Sequence, residues 1–217
     1  MKVNEIFRSI EGEGIRAGVP AVFIRLFGCN LACSYCDSVY ACKGDSYVHL
    51  SISEILDRVR KVSQGCKQVT VTGGEPLIHP GIEKLLGALL REGYEVNVET
   101  NGSKDIICYP EYEDKLFYTM DYKCSSSGMN KFMNIERLNT LTSNDVLKFV
   151  VGSVDDLNEA LSVIEQLESE PQIFFSPIFG KIEAKDIVDY ILQKRLYHCR
   201  VQLQLHKYIW DPNMRGV

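Results

Sequence analysis

Residues 21–36, AVFIRLFGCNLACSYC, join an apolar strand to a loop that carries three cysteines. A second β-branched run, QVTVT at 68–72, is followed at once by the glycine-rich motif GGEP at 73–76. A third run ends at Thr100, directly before Asn101 and Gly102. Ligands collect at the carboxyl ends of the strands in parallel α/β sheets, so these loops predict one shared site.

Strands and amphipathic helices alternate along the whole chain. The predicted strands cover residues 21–27, 68–72, 95–100, 116–120, 146–151, 173–176 and 200–205, and the predicted helices begin near 51, 80, 153 and 183. This alternation predicts right-handed βαβ crossovers and a parallel sheet. About six units are fewer than the eight of a closed barrel. The fold prediction is therefore α/β, a partial, open parallel β/α barrel in a single domain over residues 1–217, with a short C-terminal tail.

Composition excludes several classes of protein. The 217 residues are 45% hydrophobic and 24% charged, which is typical of a folded chain, and the net charge of −5 argues against a nucleic-acid-binding protein. No apolar run approaches the roughly 18 residues of a membrane span, and the N-terminus lacks a signal-peptide core. We therefore expect a cytoplasmic protein with no membrane partner, in which clustered cysteines bind metal or do chemistry rather than form disulfides. Of the eight cysteines, the five scattered ones are expected to be small buried fillers, and among them only Cys42 lies close to the cluster of three.

The cysteine loop has the spacing Cys-x3-Cys-x2-Cys at Cys29, Cys33 and Cys36. Three thiolates on one loop can ligate three irons of a 4Fe–4S cluster and leave the fourth iron open to a cofactor. The alternative is a structural zinc site completed by Cys42 or His49. The spacing favours the cluster, since zinc motifs usually come as two spaced pairs.

These motifs resemble the radical S-adenosylmethionine superfamily, in which an aromatic residue, here Tyr35, precedes the third cysteine. The resemblance implies a 4Fe–4S cluster on the three cysteines and S-adenosylmethionine (SAM) chelated to the fourth iron. It also implies that GGEP binds the SAM amino group. The two glycines let backbone approach a ligand, and Glu75 can receive an ammonium group.

The rest of the chain is similar to the 7-carboxy-7-deazaguanine synthases, from near residue 4 to near residue 210. The matching blocks are FRSIEGEG at 7–14, GVPAVFIRLFGCNL at 18–31, ETNG at 99–102 and LHKY at 205–208. The resemblance implies a carbon–nitrogen lyase of queuosine and 7-deazapurine biosynthesis. Such an enzyme converts 6-carboxy-5,6,7,8-tetrahydropterin to 7-carboxy-7-deazaguanine with loss of ammonia, and magnesium binds the substrate carboxylate.

The resemblance also implies a set of site residues. The substrate contacts would be Ile10, Glu11, Gly12, Arg25, Thr72 and His206, and Ser38 would hold Mg²⁺. The SAM contacts would be Tyr35, Cys36, Asp37, Gly74, Glu75, Asp121, Tyr122, Lys123, Ser176, Pro177, Ile178 and Phe179. A pterin also offers a guanidine-like edge and a carboxylate. Glu11, Glu13 and Glu99 suit the edge, while Arg25 and magnesium suit the carboxylate.

Simpler interpretations remain open for individual residues. Arg25 in an apolar strand can pair with a structural carboxylate, EGEG alone is typical of a solvated turn with two exposed acids, and His206 alone is typical of a surface histidine. Three positions depart from the family pattern. Glu11 stands for Gln, Ser38 for Thr, and residues 121–123 (DYK) for Ser-Pro-Lys. The tail from Pro212 onward is also longer than in some members, so whether Val217 reaches the site is open.

Two rival functions share part of this pattern. A glycyl-radical activating enzyme would use the cysteine loop and GGEP, but it gives EGEG and LHKY no role. A structural zinc-binding protein leaves GGEP unexplained. The resemblance further implies a homodimer and an electron donor such as flavodoxin or ferredoxin, and the unclosed sheet edges make association plausible.

Overall fold

The computed structural model describes residues 1–211 and 214–217. Pro212 and Asn213, in the predicted C-terminal tail, lie outside the described residues. Within the described part, nine strands form one sheet in the order β3-β1-β2-β4-β5-β6-β7-β8-β9. The strands are β1 Lys2–Ile10, β2 Pro20–Leu26, β3 Val48–His49, β4 Gln68–Gly73, β5 Glu95–Thr100, β6 Leu116–Tyr122, β7 Val146–Val151, β8 Gln172–Pro177 and β9 Cys199–Val201.

In residues 1–211 and 214–217, six α-helices connect or follow these strands. They are α1 Ile52–Ser63, α2 Ile82–Arg91, α3 Ile135–Leu138, α4 Val154–Ile164, α5 Ala184–Lys194 and α6 His206–Ile209. Helix α1 begins at the predicted capping box, in which Ser51 accepts from the Glu54 amide and Glu54 reaches back to Ser51. The side chain of Ser153 caps α4 by accepting a hydrogen bond from the amide of Asp156. The starts of these two helices are therefore encoded locally.

The strands from β2 through β9, apart from the two-residue β3, pair in parallel, which gives six parallel pairings. The sheet is not closed, because β3 and β9 lie at its two edges. The prediction of an open parallel β/α barrel of about six units is thus confirmed. The structure differs from the predicted strands at both ends of the chain. Strand β1, antiparallel to β2, was not predicted, and the last strand covers 199–201 rather than 200–205.

The two faces of the sheet differ in chemistry. Apolar side chains such as Val69 and Val71 of β4 pack in the hydrophobic core that also contains residues of α1, α2, α4 and α5. The alternate side chains on neighbouring strands are polar, as the period of two requires. This polar inner layer consists of Thr70, Thr72, Asn97, Glu99, Thr119, Asp121, Lys148 and Ser176. In the described part of the chain, no helix has both the length and the apolar character that a bilayer crossing requires.

Candidate active site

The cysteine loop starts where β2 ends, at the carboxyl edge of the sheet. Cys29, Cys33 and Cys36 are free thiols of intermediate burial. The Cys29 sulfur accepts hydrogen bonds from the Leu31 amide at 3.4 Å and from Asn101 Nδ2 at 3.6 Å. The predicted convergence of the first and third loops is therefore observed, since Asn101 follows β5.

The thiols of this loop differ in acidity. Hydrogen bonding from Cys42 is the main cause that lowers the pKa of Cys29 to about 6 and that of Cys36 to about 7. Burial instead raises the pKa of Cys33, although Lys123 opposes this effect. Two of the three sulfurs are thus poised as thiolates, the form that ligates iron.

Gly73 and Gly74 lie directly against the start of the cysteine loop. A Cβ at Gly74 would lie 2.3 Å from the Gly28 carbonyl oxygen and 2.9 Å from the Cys29 Cβ. The Gly74 amide also donates to the Leu26 carbonyl at 3.1 Å, and Glu75 N donates to the Gly28 carbonyl at 2.8 Å. The two glycines therefore permit the close approach that clamps the loop. A loop of three soft, free thiols held in this way fits a 4Fe–4S cluster.

The two candidate fourth ligands of a structural zinc site, Cys42 and His49, have different surroundings. Cys42 has its sulfur 4.0 Å from the Cys36 sulfur. His49 lies in β3 and packs edge-on against Tyr47.

Glu75 is fully buried and bonded to the protein. Its Oε1 accepts from the Leu77 amide at 2.9 Å and the Thr100 hydroxyl at 2.8 Å, and its Oε2 accepts from the Asn101 amide at 2.6 Å. Burial raises its pKa to about 7 despite these three donors. Glu75 therefore joins the loop after β4 to the end of β5, in addition to its predicted role toward an ammonium group.

A buried charge cluster fills the middle of the inner layer. Lys148 Nζ lies 2.5 Å from Glu13 Oε2 and 3.0 Å from Asp121 Oδ1, and Lys123 Nζ lies 2.8 Å from Asp121 Oδ2. Ser176 donates to the other oxygen of Glu13 at 3.2 Å. Burial disfavours the charge of Lys148, but the neighbouring carboxylates outweigh it and raise its pKa well above the ordinary lysine value. These charges compensate each other within the site.

The loop that follows β1 enters the space enclosed by the sheet. Glu11 is 2% exposed, and its carboxyl accepts a hydrogen bond from Thr70 of the inner layer. The side chain of Glu13 is 11% exposed. The interpretation of EGEG as a solvated turn with two exposed acids is therefore wrong, because the unpredicted strand β1 carries this segment into the sheet.

Burial and the neighbouring Glu99 raise the pKa of Glu11 from 4.5 to about 7, although Thr70 opposes the shift. The folded protein then holds a proton that the unfolded chain releases between these two values, so stability falls as pH rises through that window. We expect Glu11→Gln to be more stable than the parent by about 3 kcal/mol above pH 7, with the difference vanishing below pH 4.5. Urea unfolding across pH measures this.

Glu113→Gln, at an exposed position, is the matched control for that measurement. A Glu11→Gln difference that stays constant from pH 4.5 to 8 would show that Glu11 is ionised in the folded protein.

Arg25 is engaged by a protein carboxylate. Its Nε donates to Glu5 Oε1 at 2.8 Å, across the antiparallel pair of β1 and β2. Tyr40 donates to the same oxygen at 3.1 Å, and the guanidinium of Arg215 lies 4.0 Å from the Tyr40 ring centroid. The simpler interpretation of Arg25, pairing with a structural carboxylate, is thus observed. The guanidinium still lies beside the predicted site residues, because the charge of Glu99 interacts with it and favours its protonated form.

The C-terminal segment closes against the loop after β1. The Leu205 amide donates to the Gly12 carbonyl at 3.1 Å, and a Cβ at Gly12 would lie 2.4 Å from His206 Nδ1. Burial lowers the pKa of His206. His206 is therefore packed on a predicted substrate-contact segment and is not an ordinary surface histidine.

Asp37 links the cysteine loop to α6. Lys207 Nζ lies 3.5 Å from Asp37 Oδ2, and Ser38 donates to Asp37 Oδ1 at 2.9 Å. The side chain of Asp37 is 56% exposed, and Lys207 and Ser38 lower its pKa. The ionised carboxylate and the Ser38 hydroxyl form an oxygen-rich corner beside Cys36.

Some predicted SAM contacts lie away from the inner layer. The Tyr122 hydroxyl donates to Glu159 of α4 at 3.2 Å, and its ring packs on Phe149 of the core. Phe179 is 60% exposed, whereas Ile178 is buried, with its Cδ1 close to Gly152. Tyr122 thus faces the helices while its neighbours in sequence, residues 121 and 123, face the site.

Sequence reasoning missed Lys148 and Gln202 as site residues. Lys148 interrupts the apolar run VLKFVV of β7 at an inward position, and such a lysine is a readable signal of a buried pair. Gln202 is buried, and its Oε1 accepts from the Gly14 amide at 2.7 Å. It follows a strand whose end the sequence did not locate, so no comparable signal marked it.

An open parallel β/α sheet with three free cysteines after its first parallel strand defines the class of radical SAM proteins. A family model described as the Radical SAM superfamily matches residues 23–121. The crystal structure of QueE from Escherichia coli is similar in fold, with a TM-score of 0.77 and 24% identity over 94% of this chain and 93% of that chain.

The sequences of curated relatives narrow this class. The 7-carboxy-7-deazaguanine synthase of Clostridium acetobutylicum is 42% identical over 100% of this chain and 99% of its own length. The enzyme of the same name from Methanospirillum hungatei is 41% identical over 98% of this chain and 86% of its own length. The chain belongs to the 7-carboxy-7-deazaguanine synthase family. Its radical SAM class implies a 4Fe–4S cluster and SAM.

Proposed function

We propose that this protein converts 6-carboxy-5,6,7,8-tetrahydropterin to 7-carboxy-7-deazaguanine with loss of ammonia, as a carbon–nitrogen lyase of queuosine and 7-deazapurine biosynthesis. The observation that carries the proposal is the polar inner layer of the sheet, which opens beside the three-cysteine loop. Full-length similarity to synthases of that name supports the same reaction. A glycyl-radical activating enzyme is not favoured, because EGEG and LHKY meet inside this site.

Cys29, Cys33 and Cys36 would hold the cluster, and the SAM contacts would come from the loops around it. When bound, cluster and SAM supply an adenosyl radical that takes a hydrogen atom from the substrate. The protein places Tyr35, Gly74 and Asp37 next to the cysteine loop. Asp121 and Lys123 lie on the adjoining side of the inner layer, where Lys123 also acts on the pKa of Cys33. These residues would orient the cofactor. Tyr122 would not contact it, because its side chain faces the helices.

The pterin would lie over the loop after β1. Its guanidine-like edge donates N–H groups, and the carboxyls of Glu11 and Glu99 lie on that side of the layer. Thr72 bonds to Glu99 and would orient it. A protonated Glu11 offers one donor and one acceptor, as the amide of a glutamine does, which suits the family's usual residue at this position.

The carboxylate of the pterin requires a cation. Arg25 would contact it while keeping its bond to Glu5, and Mg²⁺ at Ser38 would bind it from the other side. The hydroxyl of Ser38 and the carboxylate of Asp37 are the hard oxygen ligands that Mg²⁺ prefers. His206, packed on Gly12, would close the pocket above the ring.

The remaining proposals concern the surroundings of the enzyme. We infer a homodimer of single-domain chains, a flavodoxin or ferredoxin as electron donor, and the cytoplasm as compartment. The open sheet edges support association, and eight free cysteines support a reducing compartment.

Anaerobic turnover tests the proposed reaction. The iron–sulfide-reconstituted protein is mixed with SAM, a strong reductant, Mg²⁺ and 6-carboxytetrahydropterin, and the products are read by mass spectrometry. We expect 7-carboxy-7-deazaguanine without net loss of SAM. Formation of 5′-deoxyadenosine without any deazapurine would preserve the radical chemistry and reject the substrate. Neither product on a protein with an intact cluster would reject both.

A further inference from the structure

Cys42 lies against one of the three cluster cysteines. Its sulfur is 4.0 Å from the Cys36 sulfur. The preceding residue fixes this position, because the Ala41 carbonyl accepts from the Gly28 amide at 2.8 Å. Cys42 therefore belongs to the surroundings of the cluster loop and is not a filler of the hydrophobic core.

The direction of this hydrogen bond follows from ligation. Once Cys36 binds iron it carries no proton, so the proton in the S–H···S contact comes from Cys42. The Cys42 thiol also donates to the Ser38 carbonyl at 3.4 Å. Its single proton is therefore shared between that carbonyl and the Cys36 sulfur.

The three ligands do not share donors equally. Cys29 accepts from Leu31 N and Asn101 Nδ2, and Cys36 accepts from the Ser38 amide. The amide next to Cys33, that of Ser34, donates instead to the Ser127 carbonyl at 3.1 Å. Cys42 thus adds a donor to Cys36, on one side of the loop.

We propose that Cys42 is a positioning residue that donates a hydrogen bond to the Cys36 thiolate and thereby sets the reduction potential of the cluster. The reduced cluster carries one more negative charge than the oxidised cluster. Donors to its sulfurs therefore stabilise the reduced form more and raise the potential. This inference rests on the cluster part of the proposed function and not on the identity of the pterin.

The test compares Cys42→Ala and Cys42→Val, which remove the donor, with Cys42→Ser, which keeps one. Cys108→Ala removes an exposed cysteine as the matched control. Each reconstituted protein is analysed for iron and sulfide and then titrated with reductant under EPR, without pterin. At the parent midpoint, we expect the ratio of reduced to oxidised cluster to fall about tenfold in the Ala and Val variants, about 59 mV. The Ser and Cys108→Ala proteins should stay near the parent.

Two results would overturn the proposal. One is an intact four-iron cluster with an unchanged potential in Cys42→Ala and Cys42→Val. The other is loss of iron in both of these variants with recovery in Cys42→Ser, which would assign Cys42 to holding the loop. A parent protein that binds no cluster would overturn the proposed function as well, so the iron analysis separates the two failures.

Discussion

Lys148→Met is expected to lower the free energy of unfolding by about 3–5 kcal/mol, because it leaves the buried Glu13 without its cation and Asp121 with Lys123 alone. Lys148 is 6% exposed and contacts both Glu13 and Asp121. Methionine has a similar length and fills the space, so the loss reports the charge rather than a cavity. Urea unfolding of the cluster-free protein at neutral pH measures it.

Lys185→Met is the matched control. Lys185 also pairs with a carboxylate, Asp189, but its side chain is 79% exposed. Exposed pairs of this kind contribute little, so no measurable change is expected. Equal effects at the two lysines would contradict the charge cluster described in the site. In Lys148→Met, the loss should shrink as the pH is lowered, since protonated Asp121 no longer needs the cation.

Gly74→Ala is expected to reduce iron loading and to lower turnover roughly 100-fold, the order of effect that a misplacement of about 1 Å produces. The added Cβ would lie within 2.6 Å of the Gly28 carbonyl carbon as well as close to Cys29. These neighbours are backbone and the first cluster ligand, so relief requires the loop itself to move. Iron analysis after reconstitution and SAM cleavage without substrate measure the two effects.

Gly87→Ala serves as the control for that substitution. Gly87 lies inside α2, and its Cβ would meet the ends of the Tyr109 and Arg91 side chains at 3.1 and 3.2 Å. Those ends can move, and alanine favours the helix, so iron loading should be unchanged. Full iron loading in Gly74→Ala would show that the two glycines are not what clamps the loop.

The parallel strands were predictable because each is a short apolar run rich in β-branched or aromatic residues, and the structure confirms β2 and β4 to β8. Strand β1 was not, because KVNEIFRSI alternates poorly and carries three charged residues. The contact of Arg25 with Glu5 depends on that strand, so the sequence left two interpretations of Arg25 open. The length and composition of the β1 segment do not encode its pairing register with β2, which places Glu5 opposite Arg25.

The site was predictable where it follows strand ends and unpredictable where distant segments meet. The cysteine loop and GGEP are local motifs, and the structure brings them together. The contact of Cys42 with Cys36 depends on a short 3₁₀ turn at Val39–Ala41, which no turn motif in the sequence marks. The burial of Glu11 depends on Thr70, a residue 59 positions away that only the sheet brings into contact.

The contacts of Gly12 and Gly14 with residues 202–206 have a consequence for biosynthesis. The two segments are about 190 residues apart in sequence, so their meeting closes a very long loop. During translation, the β1 loop leaves the ribosome early and stays without this partner until β9 and α6 have emerged. The contact between the two segments therefore forms only after every strand of the described sheet has been synthesised.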